Sequence, residues 1–395
     1  MKSFTVYEHQ HFIPDERRLF DALTAFHGDK ANFPYYTLTR HGIRLGSYVG
    51  VLNLGEYSIE VLPKIDREND NTDWRNVLIN MLRESGVLRT DAPSQSDLKL
   101  KQNSILELYI ERFVNECSYL LKRGLVKTYR QTEGNKPVMK GALVFNRHIA
   151  LNAVHRERFY TRHSTYDADH TLNQLLAKCL RLISTLHLPA QLHGTVSSLL
   201  LNFPAVNDVR VSERTFEQLV FNRKTEVYRE AIDIARMLLL NYHPDLISGR
   251  NNVLALMFDM NVLWEAWVVR QLRRHAPEGV SVVGQSSKVF WRSSSGWKTL
   301  RPDIIITYPD DSKVVYDTKW KIPRDGRPDD SDLKQMFAYT QVFSASRAYL
   351  LYPGNAPHLS GHFYDTTTHC GLLYLHAVRH GKLDVGWVGE VLGRG

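Results

Sequence analysis

Runs of apolar residues divide the chain into a β-rich beginning, a largely helical middle and a mixed end. In the first hundred residues, β-branched and aromatic residues between turn signals predict four strands, at Phe4–Glu8, Tyr36–Thr39, Ile43–Leu54 and Tyr57–Leu62. Apolar residues spaced by three and four predict a helix over Asp73–Glu84. The polar and aperiodic stretch Asp91–Gln102 is typical of a linker.

The middle of the chain shows the helical spacing several times. Predicted helices are Ser104–Arg123, Leu172–Leu186, Gln191–Leu201 and Tyr228–Asn241. Gly124 follows the first of them in the position of a C-terminal cap. The basic segment that follows is expected to pass through a turn at Gly134–Pro137 and to continue as short strands.

The last part of the chain alternates between the two kinds of element. Helical spacing covers Val253–Arg274 and Asp332–Val342, while Arg301–Tyr308, Lys313–Trp320 and Arg347–Tyr352 have the composition of strands. We therefore predict a multidomain α+β protein. Its predicted parts are a β-rich domain (1–101), a mostly helical basic region (102–250) and a C-terminal domain (251–395).

Composition removes several classes of protein. A chain of 395 residues is too long for one ordinary domain. Its three cysteines lie far apart, which excludes a cysteine-rich zinc site and fits a reducing compartment, so we expect a cytoplasmic protein. No apolar run approaches the roughly 18 residues of a membrane span. Neither a P-loop nor a G-x-G-x-x-G motif occurs, so nucleotide chemistry would come from a partner.

The net charge of +8 is concentrated in one segment. Between Lys122 and Arg162 there are ten basic residues and only two acidic ones, Glu133 and Glu157. Such a block suggests DNA or an acidic partner surface, although a solvated basic face would have the same composition. The candidate contact residues are Lys122, Arg123, Lys127, Arg130, Lys140, Arg147, Arg156, Arg158 and Arg162.

The residues with the clearest chemistry lie on two predicted strands joined by a turn at residues 310–311. Counting back from that turn places Asp303 opposite Asp317 or Thr318. Because side chains alternate along a strand, Asp317 and Lys319 should project together. Acidic residues at strand ends are often only solvated, but carboxylates within β-branched strands are costly unless they are paired or bind a metal. Hard oxygen ligands suit Mg²⁺, and Mn²⁺ is an alternative.

Two predicted helices flank this pair of strands and add further polar residues. Glu265 lies in the apolar seam of the preceding helix. Gln335 and Tyr339 are four residues apart on the following helix, and therefore share one face. The order Glu, Asp, Asp-x-Lys, Gln-x-x-x-Tyr resembles that of the PD-(D/E)xK nuclease superfamily in its RecB-like form. Taken singly, Glu265 could equally be an ordinary helix carboxylate and Tyr339 an ordinary core aromatic.

A closer resemblance covers nearly the whole chain. Residues 50–65 resemble the N-terminal strand block of the McrC family, the nuclease subunits of McrBC methylcytosine-dependent restriction systems. Residues 129–141 are similar to the middle segment of that family. The most specific similarity lies in residues 259–265 and 317–321, where Trp264 departs from the aliphatic residue or Phe that often precedes the glutamate.

The resemblance implies a restriction-endonuclease-like α/β/α core within residues 251–395 and Mg²⁺-dependent hydrolysis of DNA phosphodiesters. Asp303 and Asp317 would bind the metal, and the carbonyl of Thr318 would be a third ligand. Lys319 would position or activate the attacking water.

The resemblance also assigns supporting residues and partners. Glu265 would extend or orient the metal shell, while Gln335 and Tyr339 would brace the site or the DNA backbone. The partner would be an McrB-like AAA+ GTPase ring that binds GTP itself, and the substrate would be double-stranded, methylated DNA. Two alternatives stay open: a RecB-like nuclease that works with another motor, and a non-catalytic adaptor of a ring ATPase.

Overall fold

A computed structural model describes residues 2–28, 33–63, 74–86, 105–243, 253–321, 323, 326–364, 366–379 and 382–394. The chain forms two compact units: a middle unit of residues 106–256, and a terminal unit of residues 2–105 together with 257–395. The division into three domains at residues 101 and 250 stays a prediction. The predicted linker Asp91–Gln102, and Lys64 and Ile65 of the family-like block, lie outside the described residues.

Helices and strands alternate along the whole described chain, so the predicted mixture of both element types in more than one domain is confirmed. The strands are β1 (Lys2–Tyr7), β2 (His11–Phe12), β3 (Tyr36–Leu38), β4 (Ile43–Leu45), β5 (Tyr48–Leu54), β6 (Tyr57–Leu62), β7 (Thr128–Lys136), β8 (Ala142–Leu143), β9 (Phe159–Asp167), β10 (Tyr242–His243), β11 (Val253–Asp259), β12 (Ser281–Gly284), β13 (Lys288–Ser293), β14 (Gly296–Leu300), β15 (Ile304–Thr307), β16 (Lys313–Thr318), β17 (Arg347–Pro353), β18 (Leu359–His362), β19 (His369–Leu375), β20 (Val378–Arg379) and β21 (Lys382–Leu383). The helices are α1 (Arg17–His27), α2 (Trp74–Glu84), α3 (Ile105–Arg123), α4 (Phe145–Asn152), α5 (Thr171–Ser184), α6 (Ala190–Asn202), α7 (Glu213–Glu217), α8 (Arg229–Leu240), α9 (Met260–His275), α10 (Asp330–Phe343) and α11 (Val388–Leu392), with a short 3₁₀ helix at Glu226–Tyr228.

One predicted helix was partly wrong. The helix expected over Val253–Arg274 begins only at Met260, and the apolar run before it is the strand β11. Leu254 of that strand pairs with Tyr242 of β10. The side chain of Asp259 accepts a hydrogen bond from the backbone N–H of Asn261 at 2.8 Å, which caps α9 and stops it from extending backwards.

The largest sheet of the terminal unit has the strand order β12-β15-β16-β17-β19-β18. β15 and β16 form an antiparallel hairpin, whereas β16, β17 and β19 run parallel. Met336 and Phe343 of α10 pack against Val315 on one face of this sheet. On the opposite face, the hydroxyl of Tyr316 donates to the carbonyl of Val391 in α11 at 3.0 Å. Because neighbouring side chains alternate, helices cover both faces.

The N-terminal strands belong to the same unit. β6 pairs with β1 in parallel and with β5 antiparallel, and α2 packs between β6 and α9. The carboxylate of Glu84, at the end of α2, accepts hydrogen bonds from Trp267 at 2.8 Å and Gln271 at 2.9 Å on α9. This partly buried contact links the beginning of the chain to the helix that precedes the largest sheet.

The middle unit is built on α3, α5, α6 and α8, whose buried faces are almost entirely apolar. The hydroxyl of Tyr228 donates to Asn173 at 3.0 Å inside this core. β7 and β9 pair antiparallel along their full lengths, with β8 beside β9. Among the described residues of the whole chain, none of the helices combines the length and the apolar character that a membrane crossing requires.

Candidate active site

The β15–β16 hairpin brings Asp303 next to Asp317. Ile304 pairs with Tyr316, and extending this register by one residue places Asp303 opposite Asp317. One oxygen of Asp303 accepts hydrogen bonds from the backbone N–H of Thr318 at 2.7 Å and from its hydroxyl at 2.8 Å. These two bonds hold the carboxylate against the end of β16. Both are made by the same oxygen, Oδ2.

The turn of this hairpin sets the register. Asp311 has a φ of 62°, in the left-handed region that Asp tolerates better than most residues. Asp310 accepts hydrogen bonds from the N–H and the hydroxyl of Ser312, which is how a short acidic side chain stabilises a tight turn. The turn predicted at residues 310–311 is therefore confirmed.

Asp317 is almost completely buried, with 2% of its surface exposed. Burial, followed by the negative charge of Asp303, raises the pKa of Asp317 to about 6, and the charge of Lys319 opposes this shift. Its Oδ2 lies 2.7 Å from Nζ of Lys319, and beyond this ion pair no described group hydrogen-bonds to that oxygen. A nearby positive charge favours the ionised form of such a buried carboxylate.

Lys319 is the centre of the positive charge at this end of the sheet. Its ammonium also lies 3.5 Å from Oδ1 of Asp332 and 3.3 Å from Oε1 of Gln335. Burial lowers the pKa of Lys319, but the carboxylates of Asp317, Asp332 and Asp303 outweigh burial, and the pKa is raised overall. Lys319 is therefore a stable ammonium group.

Gln335 and Tyr339 continue this network, and α10 presents both on one face as predicted. The Gln335 amide donates to the Tyr339 hydroxyl at 2.6 Å, and that hydroxyl donates to the backbone carbonyl of Arg301 at 3.1 Å. Burial, followed by the charge of Asp317, raises the pKa of Tyr339 to about 12. A continuous chain of contacts thus runs from Lys319 back to the segment that carries Asp303.

Glu265 approaches the same place from α9. It is half-buried, and its carboxylate accepts a hydrogen bond from the side chain of Gln285. Burial raises the pKa of Glu265, and the charges of Asp303 and Asp317 add to this effect. The structure therefore brings all the residues singled out on the two strands and two helices into one electrostatically coupled group.

Two residues of this group, Asp332 and Gln285, were not identified in the sequence, nor was Glu8, which supports the group from outside. Asp332 is buried, contacts Lys319, and forms a 2.9 Å ion pair with Lys321. The spacing Asp332-x-x-Gln335 puts both residues on one helix face and was the available signal. No sequence pattern indicated Gln285 or Glu8. Their hydrogen-bond partners, Glu265 and Trp320, are distant in sequence.

The chemistry of the site is that of oxygen donors and an ammonium group. Within the described ranges, no group of three or more His, Cys, Asp or Glu side chains is arranged to hold a metal ion. The available anionic donors are the adjacent pair Asp303 and Asp317. The side chain of Thr318 is already committed to Asp303, and Glu265 is held by Gln285.

The basic segment lies in the middle unit and is largely exposed. Arg130 is the half-buried exception, because it pairs with Asp167 at 3.0 Å and Asp169 at 2.8 Å. Arg162 pairs with Glu133 at 2.6 Å, so nearby acids balance part of the charge. The other predicted contact residues, all exposed, are Lys122, Arg123, Lys127, Lys140, Arg147, Arg156 and Arg158.

Two solved structures with a similar fold come from McrBC assemblies. One chain from a refined half-complex of a tetradecameric assembly of Thermococcus gammatolerans McrB AAA+ hexamers with bound McrC matches with a TM-score of 0.73 and 17% identity, covering 100% of this chain and 99% of that one. A chain from a cryo-EM structure of the T. gammatolerans McrBC complex matches with a TM-score of 0.52 and 19% identity, covering 69% and 88%. At this low identity the similarity establishes the fold.

The sequence itself assigns the family. Residues 43–353, most of the chain, match the family described as "McrBC 5-methylcytosine restriction system component". The chain belongs to this family, which confirms the resemblance found in the sequence. No curated protein is significantly similar to the chain in sequence.

Proposed function

We propose that this protein is the DNA-cleaving subunit of a modification-dependent restriction complex and hydrolyses DNA phosphodiesters with Mg²⁺. The observation that carries the proposal is the convergence of Asp303, Asp317 and Lys319 at the end of one hairpin. Membership of the McrBC family supplies the context of a restriction system.

The surrounding architecture supports a nuclease core. A mixed sheet with helices on both faces carries the candidate residues at the end of β16, where the parallel strand leaves the sheet. We propose that this part of the terminal unit is a restriction-endonuclease-like α/β/α core of the PD-(D/E)xK superfamily. Pro302-Asp303 directly precedes β15, and Asp317 lies in β16 with Lys319 directly after that strand, so the motif brackets one end of the hairpin.

The donor set fits Mg²⁺ or Mn²⁺. Mg²⁺ keeps several waters and binds through one or two carboxylates together with substrate phosphate, so the pair Asp303 and Asp317 suffices without a third acidic ligand. Oδ2 of Asp317, buried and contacted only by Lys319 among the described groups, is a suitable donor. Further ligands would be the carbonyl of Thr318 and, in an outer position, Glu265. When bound, the metal supplies Lewis-acid stabilisation of charge on the phosphate.

The chain's own residues orient the reaction. In hydrolysis, the oxygen of water bonds to phosphorus while the bond to the leaving oxygen breaks. The attacking water gives a proton to solvent, and the leaving oxygen takes a proton from solvent. Because Lys319 is held as an ammonium, it donates hydrogen bonds to the water or to a phosphate oxygen and offsets growing negative charge. Gln335 and Tyr339 keep Lys319 and the Arg301 backbone in register.

We propose further that the chain acts with an McrB-like AAA+ ring that binds GTP, and that it stimulates GTP hydrolysis by this ring. The T. gammatolerans assemblies of similar fold contain McrB AAA+ hexamers with bound McrC. The substrate would be double-stranded DNA carrying methylated cytosine, in line with the description of the family. The exposed basic segment of the middle unit is the proposed contact with the ring or with DNA.

The test is cleavage of methylated plasmid DNA by the purified chain with its ring partner, GTP and Mg²⁺. Asp317→Asn should reduce cleavage by about 100-fold or more, because it removes an anionic ligand, and should leave GTPase stimulation intact. The matched control is Asp311→Asn, the same chemical change in the turn of the same hairpin, where Asn tolerates the left-handed backbone. Equal cleavage by Asp317→Asn and the wild type would reject the assignment.

The same assay separates the two alternatives. A nuclease that serves a different motor would cleave DNA but would not respond to a GTP-specific ring. A non-catalytic adaptor would stimulate its ring, and no variant of Asp317 or Lys319 would change any DNA product. The intact Asp303, Asp317 and Lys319 and their mutual contacts favour the catalytic proposal.

A further inference from the structure

The β13–β14 hairpin is a two-stranded ribbon that exposes large aromatic side chains on the terminal unit. Phe290, Trp291 and Trp297 are 50%, 51% and 68% exposed. β13 and β14 pair only with each other among the described strands. An isolated ribbon of this kind is marginally stable in water, and exposed aromatic clusters usually mark a binding surface.

The charge of this hairpin has one sign. Residues 286–301 contain four basic residues, Lys288, Arg292, Lys298 and Arg301, and no acidic residue. A surface that serves only solubility usually mixes both signs. A purely basic ribbon with exposed aromatic rings has the composition of a nucleic-acid contact, where cations neutralise phosphates and rings stack on bases.

The register places a tryptophan beside a cation on each face of the ribbon. Trp291 lies opposite Lys298, and Arg292 lies opposite Trp297. Directly opposed residues project from the same face, and adjacent pairs project from opposite faces. The irregularity between Val289 and Trp291 adds one residue to β13 and increases the local twist. Both faces of the ribbon can therefore contact a polyanion at once.

Both ends of the hairpin are attached to the candidate active site. Before it, the N–H of Gln285 donates to the carbonyl of Asp303 at 2.9 Å, and the Gln285 side chain donates to Glu265. After it, the carbonyl of Arg301 accepts from Tyr339. Leu300 packs on the core beside α10 and anchors the base of the ribbon. The ribbon thus projects directly from the segment that carries Asp303.

We propose that the β13–β14 hairpin contacts DNA beside the phosphodiester that the site cleaves, with Phe290, Trp291 and Trp297 against bases and sugars and Arg292 and Lys298 on phosphates. This inference rests on the proposed function for its choice of DNA as the polyanion. A two-stranded ribbon has the width to enter the major groove, and apolar side chains of such elements also wedge between base steps. Contacts of this kind hold the duplex in place relative to Asp303.

The first experiment measures binding of a fluorescent methylated duplex to the full chain, in the Asp317→Asn background so that no cleavage intervenes. Trp291→Ala and Trp297→Ala should each weaken binding by about 5-fold to 150-fold, the range for loss of one aromatic stacking contact. The matched control is Tyr364→Ala, because Tyr364 is 92% exposed in the same unit but lies outside the hairpin. It should bind as the parent does.

Salt dependence tests the cations separately. The affinity of the double variant Arg292→Ala, Lys298→Ala should fall less steeply with salt. The slope of log affinity against log salt should become less negative by about two, one for each lost phosphate contact. Lys334→Ala, which removes an exposed lysine from α10, should leave the slope unchanged.

Tryptophan quenching provides a readout that needs no substitution. The chain has seven tryptophans, and the five outside the hairpin, Trp74, Trp264, Trp267, Trp320 and Trp387, are buried. Acrylamide therefore quenches mainly Trp291 and Trp297 in the free protein, and saturating DNA should protect both of them.

The outcomes separate this inference from the proposed function. The hairpin assignment would be overturned if DNA failed to protect the tryptophans from acrylamide. It would also be overturned if Trp291→Ala and Trp297→Ala bound DNA as tightly as their parent, even if the wild type cleaves DNA. If the two tryptophan variants bound DNA normally but failed to assemble with the ring, the hairpin would be a contact for a protein partner. That result would also overturn its assignment to DNA. If the wild type instead bound DNA through the hairpin and cleaved none of it, that result would support the DNA contact of the hairpin and reject the proposed nuclease function.

Discussion

The indole N–H of Trp320 donates to the two carboxylate oxygens of Glu8, at 2.9 and 3.0 Å, across 312 residues of sequence. Both side chains are buried. Trp320 directly follows Lys319, and its ring packs 5.4 Å from that of Trp264, next to Glu265. The segment after β1 therefore supports the position of Lys319, although it contributes no group to the candidate site itself.

Removing this contact should destabilise the terminal unit. Glu8→Ala leaves the buried indole N–H without its acceptor, and an unpaired buried group of this kind costs about 1–3 kcal/mol. Urea unfolding of the variant should show a lower midpoint than that of the wild type. Glu278→Ala removes an exposed carboxylate from the same unit and serves as the control. Equal midpoints for Glu8→Ala and the wild type would show that the contact adds nothing to stability.

Replacing the lysine should abolish catalysis with little effect on assembly. Lys319→Ala removes the ammonium that faces Asp317 and Gln335, so cleavage should fall by about 100-fold or more. GTPase stimulation of the partner ring should persist. Lys334→Ala, on the exposed side of α10, is the matched control and should cleave normally. Retained cleavage by Lys319→Ala would exclude the lysine from the reaction.

Asp332 should act through the lysine that it holds. Asp332→Asn keeps the shape of the side chain but removes the charge that faces Lys319 and Lys321. Loss of such an outer contact typically lowers activity by 10-fold to 100-fold, and we expect kcat to fall by about 10-fold with DNA affinity unchanged. Asp330→Asn is the control, because Asp330 is exposed in the same helical turn. A change in DNA affinity with an unaltered kcat would contradict a positioning role.

Metal choice should follow the oxygen ligands. Mg²⁺ and Mn²⁺ should support cleavage, while Ca²⁺ should bind without supporting turnover because its coordination geometry is looser. Isothermal titration of Ca²⁺ into the wild type and into Asp317→Asn would detect binding directly, and the variant should bind more weakly. Full cleavage in EDTA would contradict metal dependence.

The basic segment should act on the partner ring. Exposed apolar residues such as Val138, Met139, Phe145 and Ile149 lie among its cations, a mixture that suits a protein surface better than bare phosphates. Replacing Arg156, Arg158 and Arg162 with Ala should therefore prevent ring assembly or GTPase stimulation and leave DNA binding normal.

The control for this triple variant is Arg210→Ala, Arg214→Ala, Arg223→Ala, which removes three exposed arginines from the same unit. Weaker DNA binding with a flatter salt dependence would instead assign the basic segment to DNA. A triple variant that is normal in both assays would show that the segment is only a solvated basic face.

Local periodicity was sufficient to predict the central geometry of the candidate site. Strand alternation and an acidic turn place Asp303 beside Asp317, and Asp317 on the same side as Lys319, because both rules depend only on neighbouring residues. The i, i+4 spacing of Gln335 and Tyr339 depends in the same way on helix geometry alone. The structure agrees with each of these placements.

Tertiary contacts decided the rest. The apolar run Val253–Asp259 has the composition of a buried helix or a buried strand, and its pairing with β10 made it a strand. Glu8 and Trp320 each lie just after a strand, 312 residues apart, and neither position shows any local sign of their mutual hydrogen bond. The exposure of Trp291 and Trp297 was equally hidden, because aromatic residues in a strand pattern predict burial. Sequence periodicity determines which face a side chain takes, whereas only the packed chain determines what lies opposite that face.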